Sequence, residues 1–171
     1  RGSITSHNSI SRDGRHLLLT NYAFGSEGPD QSIAVFGITD GGGLTAPLST
    51  AQHRGRGPHL ERQERPHAHS VIEGPRDCVF FVADLGLDRI LSYQLHANGT
   101  LEQRGATATA AGDGPRHLVL HPNGQLLLAI NELSSTITSY RIDAGGVSLK
   151  ALSTLSTVLA GTAEGNTCSD I

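Results

Sequence analysis

The sequence predicts an all-β protein, a partial β-propeller built from repeated four-stranded sheets. Two observations support this fold. Short apolar runs recur about every 50 residues, each preceded by a polar segment and followed by an alternating one. The 171 residues also include 21 Gly but only 4 Phe, 3 Tyr and no Trp, so turns are many and large core residues are few. No segment has the sustained 3.6-residue apolar period of an amphipathic helix.

The first unit begins with a polar segment over residues 7–14 that ends in the pair Asp13-Gly14. An apolar run follows over 17–22, then an extended segment over 32–36, and a glycine turn closes the unit. Asp-Gly is a typical turn between antiparallel strands. We expect this unit to occupy residues 4–52.

The second and third units repeat the same order. In the second, residues 67–108, an apolar run over 79–83 precedes an alternating segment over 89–95. Alternation with period two is typical of half-buried strands. The third unit covers 114–160, and a further unit begins near residue 168.

Four short strands in each unit of roughly 40 to 50 residues is the pattern of propeller blades. A closed ring needs about 4 to 8 blades, and this chain holds about three to three and a half. We therefore expect a fragment of a propeller about twice as long. A β-sandwich is the alternative fold, but its strands would not normally repeat one polar order at a fixed spacing.

Aligning the units shows where their polar residues differ. One aligned position holds Ser6, His69, Arg116 and Ser169, the next holds His7, Ser70, His117 and Asp170, and a third holds Tyr22, Asp84 and Glu132. Equivalent positions of a propeller face a shared central funnel. We therefore expect His69, Arg116 and Glu132 to converge, with Asp84 beside them.

These residue types suit proton transfer on an anionic substrate. Imidazole takes or gives a proton near pH 7, and a carboxylate can act as the opposite partner. Arginine stays charged and grips carboxylate or phosphate with a planar fork. The alternative is structural: histidines and arginines can satisfy loop carbonyls, Glu132 can cap a turn, and Asp84 can form one.

Other site types have less support. His67 and His69 could meet a metal ion, because residues i and i+2 of a strand point to one side, but spacing fixes no third ligand. The chain lacks the Gly-x-Ser-x-Gly elbow of serine hydrolases and the glycine motifs of nucleotide sites. Its two cysteines form no disulfide framework.

The charge pattern does not indicate a nucleic-acid partner. Net charge is −3, and Glu61 and Glu64 interrupt the arginines of residues 54–65, where no aromatic residue is interleaved. No apolar run approaches the roughly 20 residues that span a bilayer. We expect a cytoplasmic location, because the absence of a cysteine pattern fits a reducing compartment, and the oligomeric state is not readable.

Several motifs together resemble the lactonase family of seven-bladed propellers, from about His7 to Ile171. They are Gly57-Pro58 and residues 61–63, 66–70, 82–90, 114–117 and 131–135. That family includes bacterial 6-phosphogluconolactonases and a fungal 3-carboxy-cis,cis-muconate lactonising enzyme. The resemblance implies a catalytic set of His69, Arg116 and Glu132, with no metal and no organic cofactor.

The reaction implied by the resemblance is hydrolysis of 6-phosphoglucono-1,5-lactone to 6-phosphogluconate, a step of the oxidative pentose-phosphate pathway. The substrate would be a small anionic lactone. Arg116 would steady negative charge on the lactone oxygens, while His69 or Glu132 activates water and the other protonates the ring oxygen. The residues expected to help bind the substrate are His67, Asp84, Arg62, Arg65 and His117.

Two other functions stay open at this point. A muconate-type cycloisomerase would use the same three residues to close and open a lactone of a tricarboxylate. A non-catalytic propeller would bind a protein or ligand through its broad face and turn over no lactone.

Overall fold

A computed structural model describes residues 4–22, 31–159 and 165–171. These residues contain twelve β-strands and one short 3-10 helix. The strands form three four-stranded antiparallel sheets, each with its strands adjacent in chain order. The predicted class, an all-β partial propeller, is confirmed.

The first sheet contains β1 (Thr5–Ile10), β2 (His16–Asn21), β3 (Ile33–Ile38) and β4 (Leu44–Ala51). The second contains β5 (Ala68–Glu73), β6 (Val79–Asp84), β7 (Arg89–Leu95) and β8 (Leu101–Ala108), and the 3-10 helix Leu85–Leu87 follows β6. The third contains β9 (Pro115–Leu120), β10 (Leu126–Asn131), β11 (Thr136–Ile142) and β12 (Leu149–Ser156). Residues 23–30 of the predicted first unit and residue 160 of the third lie outside the described residues.

The second sheet is packed between the other two. Phe80 and Val82 of β6 contact the first sheet in one apolar cluster, and Phe81 and Ala83 contact the third sheet in another. Every residue of β6 is buried. Burial on both faces explains why this strand is a continuous apolar run rather than an alternating one.

The first strand of each sheet lies at the centre of the arrangement. Strand β1 contacts β5, and β5 contacts β9. Ser6 Oγ donates to the Ala68 carbonyl at 3.0 Å, and Thr20 Oγ1 donates to the His69 carbonyl at 3.2 Å. The fourth strands β4 and β12 are mostly exposed, so the sheets radiate outward from their first strands as propeller blades do.

The described chain ends beside β9. Residues 165–171 form no strand, yet the Ser169 carbonyl accepts a hydrogen bond from Arg116. This is where the sequence predicts a further unit. Within the described ranges, no helix has the length and apolar character to cross a membrane.

Candidate active site

The first strand of each sheet carries a β-bulge at the equivalent place. The pairing of β1 with β2 skips Ser6, that of β5 with β6 skips His69, and that of β9 with β10 skips Arg116. A bulge leaves one residue unpaired and re-aims its side chain. The bulges therefore give a structural reason for the aligned position that holds these three residues.

A pocket of about 290 Å³ lies at the bulges. It is lined by His69, Arg116 and Glu132, so the structure brings the three predicted catalytic residues together. The remaining lining residues are Ile4, Ser6, Tyr22 and Arg62. His69 comes from the second sheet, Arg116 and Glu132 come from the third, and Arg62 comes from the connection between β4 and β5.

Two arginines hold the carboxylate of Glu132, which directly follows β10. Arg116 Nε donates to Oε2 at 2.8 Å, and Arg62 Nη2 donates to Oε1. Only 10% of the Glu132 side chain is exposed. Hydrogen bonds to Glu132 and Tyr22 raise the pKa of Arg62, so its guanidinium stays charged throughout the working pH range.

His69 is buried and neutral. Burial lowers its pKa to about 3, and the electrostatic influence of the nearby Arg116 and His117 adds to this effect. Its Nδ1 atom has no hydrogen-bond partner within the described ranges. The imidazole can therefore accept a proton, but weakly, and a bound anion would favour its protonated form by offsetting the surrounding positive charge.

Tyr22 joins the residues around this pocket. Its ring stacks on His67 with centroids 4.3 Å apart and meets the ring of His69 edge-on at 5.5 Å. Its hydroxyl lies 3.5 Å from Arg62 Nη2. Sequence reasoning did not select Tyr22, although the same aligned position held it together with Glu132.

His67 is fully buried and does not line the pocket. Its Nδ1 lies 2.8 Å from the Tyr22 carbonyl oxygen, and its Nε2 lies 3.1 Å from Glu64 Oε2. Both ring nitrogens thus face protein oxygens, and the residue supports Tyr22. Among the described residues, no group of three His, Cys, Asp or Glu is placed to hold a metal ion.

His117 lies beside His69 rather than in the pocket lining. The two rings meet edge-on with centroids 5.2 Å apart, and His117 Nδ1 lies 2.6 Å from Asp170 Oδ1. His7 of β1 also meets His117 edge-on, at 5.5 Å. Burial, together with His117, lowers the pKa of His7.

Asp84 is not part of the pocket, and its predicted alignment is wrong by one residue. One backbone hydrogen bond recurs in all three sheets and shows the true alignment. It runs from the N–H of Tyr22 to the Ile4 carbonyl, from that of Leu85 to the His67 carbonyl, and from that of Glu132 to the Gly114 carbonyl. Leu85 is therefore the counterpart of Glu132.

Asp84 instead ends β6, as Asn21 ends β2 and Asn131 ends β10. Its Oδ2 lies 2.5 Å from His53 Nδ1 in a fully buried pair. Its Oδ1 accepts the backbone N–H groups of His67 and Leu87 at 2.8 and 3.1 Å. These contacts give Asp84 a structural role.

Arg65 also lies outside the pocket lining. It pairs with the neighbouring Glu64 at 3.2 Å, and both side chains are partly exposed. Of the two arginines expected to help bind the substrate, the structure brings Arg62 to the pocket and leaves Arg65 outside it.

Comparison with known proteins agrees with the propeller fold. The family model described as lactonase, 7-bladed β-propeller, matches residues 1–171. The chain belongs to this lactonase family. This lactonase chain is 35% identical over 131 residues to a 6-phosphogluconolactonase of Bacillus subtilis strain 168, covering 77% of the chain and 35% of that protein.

Solved structures give the same family context. A periplasmic gluconolactonase of Pseudomonas aeruginosa matches the lactonase chain with a TM-score of 0.83 at 30% identity, over 92% of this chain and 43% of that one. A protein from Lactobacillus plantarum matches with a TM-score of 0.82 at 30% identity, again over 92% of this chain and 43% of that one. The chain thus spans less than half the length of these relatives.

Proposed function

We propose that this chain supplies the catalytic pocket for hydrolysis of a sugar lactone, with 6-phosphoglucono-1,5-lactone as the substrate and 6-phosphogluconate as the product. The observation that carries the proposal is the convergence of His69, Arg116 and Glu132 on one pocket. The similarity to a bacterial 6-phosphogluconolactonase supports this substrate. The reaction would then be a step of the oxidative pentose-phosphate pathway.

In the proposed reaction His69 first acts as a general base. Its neutral imidazole takes a proton from a water molecule as the water oxygen bonds to the lactone carbonyl carbon. The ring C–O bond then breaks, and the ring oxygen receives the proton back from His69. One histidine can thus serve both steps, and general acid–base catalysis of this kind contributes about 10²- to 10⁴-fold.

Positive charge in the pocket would assist the addition of water to the lactone carbonyl. When water adds, the carbonyl oxygen becomes an oxyanion, and fixed positive donors stabilise that charge. Arg116 and Arg62 both line the pocket and are held in place by Glu132. The scheme uses no metal ion and no organic cofactor. A cytoplasmic location stays a prediction, since one relative is a periplasmic enzyme.

The test is turnover by the full-length protein of freshly prepared 6-phosphoglucono-1,5-lactone, corrected for spontaneous opening. We expect His69→Gln to lower kcat by about 10²- to 10⁴-fold. His96→Gln is the matched control, because His96 is an exposed histidine that pairs with Glu102, and its kcat should equal that of the parent.

Other outcomes would point elsewhere. Turnover of a carboxymuconolactone without turnover of the phosphogluconolactone would favour the cycloisomerase. If neither compound reacts, the non-catalytic binding propeller is favoured and the proposed function is wrong.

A further inference from the structure

We propose that Glu132 is a positioning residue that transfers no proton. It would space Arg62 and Arg116 so that they form a receptor for the oxyanion that develops at the lactone carbonyl and becomes the product carboxylate. This inference rests on the proposed function, because it assigns a role within the same pocket.

Glu132 is fixed on all sides. Its two carboxylate oxygens accept from different arginines, Oε2 from Arg116 at 2.8 Å and Oε1 from Arg62. Its backbone N–H donates to the Gly114 carbonyl at 2.8 Å, and its own carbonyl accepts from the N–H of Cys168 at 3.4 Å. Proton uptake by this carboxylate would weaken both ion pairs at once, so the arrangement is unsuited to a group that gains and loses a proton in each turnover.

Each guanidinium has a second anchor and donors to spare. Arg116 Nη1 donates to the Ser169 carbonyl, and Arg62 Nη2 approaches the Tyr22 hydroxyl at 3.5 Å. Among the described residues, the contacts of Arg116 use its Nε and Nη1 atoms and those of Arg62 use its Nη2 atom, which leaves Arg116 Nη2 and Arg62 Nη1 for a ligand. Arginine donors in a fixed fork match the geometry of carboxylate-like oxyanions.

The charge balance also fits an anion. Two guanidinium groups share one carboxylate, which leaves one net positive charge at the pocket. His69 lines the same pocket and its pKa is lowered in part by Arg116, so the base and the receptor lie close together. A receptor beside the base would lie next to the lactone carbonyl carbon, because the base activates the water that adds to that carbon. The phosphate at the far end of the sugar would then lie further from the receptor.

The first experiment is Glu132→Ala in the full-length protein. We expect kcat to fall about 100-fold, because misplacing a charge-stabilising group by about 1 Å has an effect of this size. The loss should be equal for 6-phosphogluconolactone and for unphosphorylated gluconolactone, since both develop the same oxyanion. A loss confined to the phosphorylated substrate would overturn the proposal.

Chemical rescue separates a positioning role from proton transfer. Nitrate and formate are both small planar anions able to bridge two arginines, but only formate is appreciably basic. We expect each anion to restore turnover to Glu132→Ala. Rescue by formate alone would identify Glu132 as a base, and rescue by neither would show that an anion between the two arginines does not restore turnover. Either result overturns the inference.

The matched control is Glu102→Ala. Glu102, on the outer strand β8, is an exposed carboxylate that pairs with His96 and with Arg104. We expect this variant to keep parent-like turnover that nitrate does not raise.

If Glu132→Ala does not fold, Glu132→Gln takes its place. That variant should lower kcat while keeping the shape of the kcat–pH profile, and loss of the acidic limb would contradict the inference.

Failure of the proposed function has a separate signature, the absence of lactone turnover by the parent protein. In that case nitrate binding measured by calorimetry still tests the arginine pair. Glu132→Ala should bind nitrate at least about tenfold more tightly than the parent, because the anion would replace a carboxylate between two cations. Equal affinities would overturn the inference.

Discussion

The residue with the most unusual surroundings in the pocket is His69. Its imidazole is largely removed from water and lies near a guanidinium and a second imidazole, and its Nδ1 atom has no hydrogen-bond partner among the described residues. These surroundings favour the neutral ring, which is the form that can accept a proton. They also make the ring a weak base until an anion binds nearby.

The lowered pKa of His69 should make stability depend on pH. Below pH 6.5 the unfolded histidine binds a proton, whereas the folded one does not until about pH 3. Stability should therefore fall as pH decreases through this range, with a slope from this residue of at most about 1.4 kcal/mol per pH unit.

Denaturant unfolding of full-length parent and His69→Gln between pH 7 and pH 4.5 measures this dependence. The variant should lose less stability on acidification, and His96→Gln, which changes an exposed histidine, should match the parent. Parallel curves for the parent and His69→Gln would show that the surroundings of His69 do not disfavour its charge.

The sequence predicted the identity of the pocket residues better than their partners. His69 and Arg116 stand out because the aligned position varies between units. Asp84 was misplaced because an acidic residue after an apolar run looks equivalent to Glu132. The register that distinguishes them depends on where β6 ends and on the Asp84 side chain capping the following 3-10 helix by accepting from Leu87 N. Hydropathy alone does not define that end.

At the scale of elements, the connection between β4 and β5 delivers Arg62 to the pocket. Its path is fixed by buried side chains rather than by strand pairing. Gln63 is fully buried and donates to the Leu85 carbonyl and to Asp88 Oδ1, at 2.8 and 2.7 Å. His53 adds its buried pair with Asp84. These are long-range contacts, so the sequence could indicate an arginine-rich loop but not its path.

Gly86 permits this connection to pass close to the second sheet. A Cβ atom at Gly86 would lie 1.9 Å from the Arg65 carbonyl oxygen and 2.9 Å from the His67 backbone nitrogen. We expect Gly86→Ala to destabilise the protein by about 1–3 kcal/mol, as overpacking does. It should also lower kcat, because the displaced segment carries Arg62, which stabilises the oxyanion in the proposed reaction.

Thermal unfolding and steady-state kinetics of the full-length protein check both effects. Gly41→Ala is the control, since nothing lies within 4 Å of a Cβ atom at that glycine. A Gly86→Ala variant as stable and active as Gly41→Ala would mean that the connection can move without consequence.

At the scale of the whole molecule, the first and third sheets are packed on one side only by the described residues. Large apolar side chains lie exposed on their strands, among them Ile10, Leu44, Val119 and Leu155. The repeat made this part of the architecture predictable from sequence, because strand count and spacing depend on local patterns. The contacts between blades were not predictable, since they join residues far apart in the chain.

Strand β12 is an edge strand of the third sheet and is mostly exposed. It should make the 171-residue chain associate when the chain is produced alone, because unpaired edges and apolar surface promote self-association. Leu155, 65% exposed on β12, is the residue to change. Leu155→Lys should shift the chain toward smaller species in size-exclusion chromatography with light scattering. Leu60→Lys, at an exposed loop position, should not. Equal behaviour of the two variants would show that this strand does not drive association.

The bulges have a consequence for how such a pocket can change. Since Ser6, His69 and Arg116 stand outside the pairing ladders, their side chains can be exchanged while the hydrogen bonds of the strands stay intact. The bulge position is thus interchangeable between blades, and in the three blades it carries a hydroxyl, an imidazole and a guanidinium. New chemistry in this architecture therefore needs a substitution at a bulge position, not a redesigned sheet.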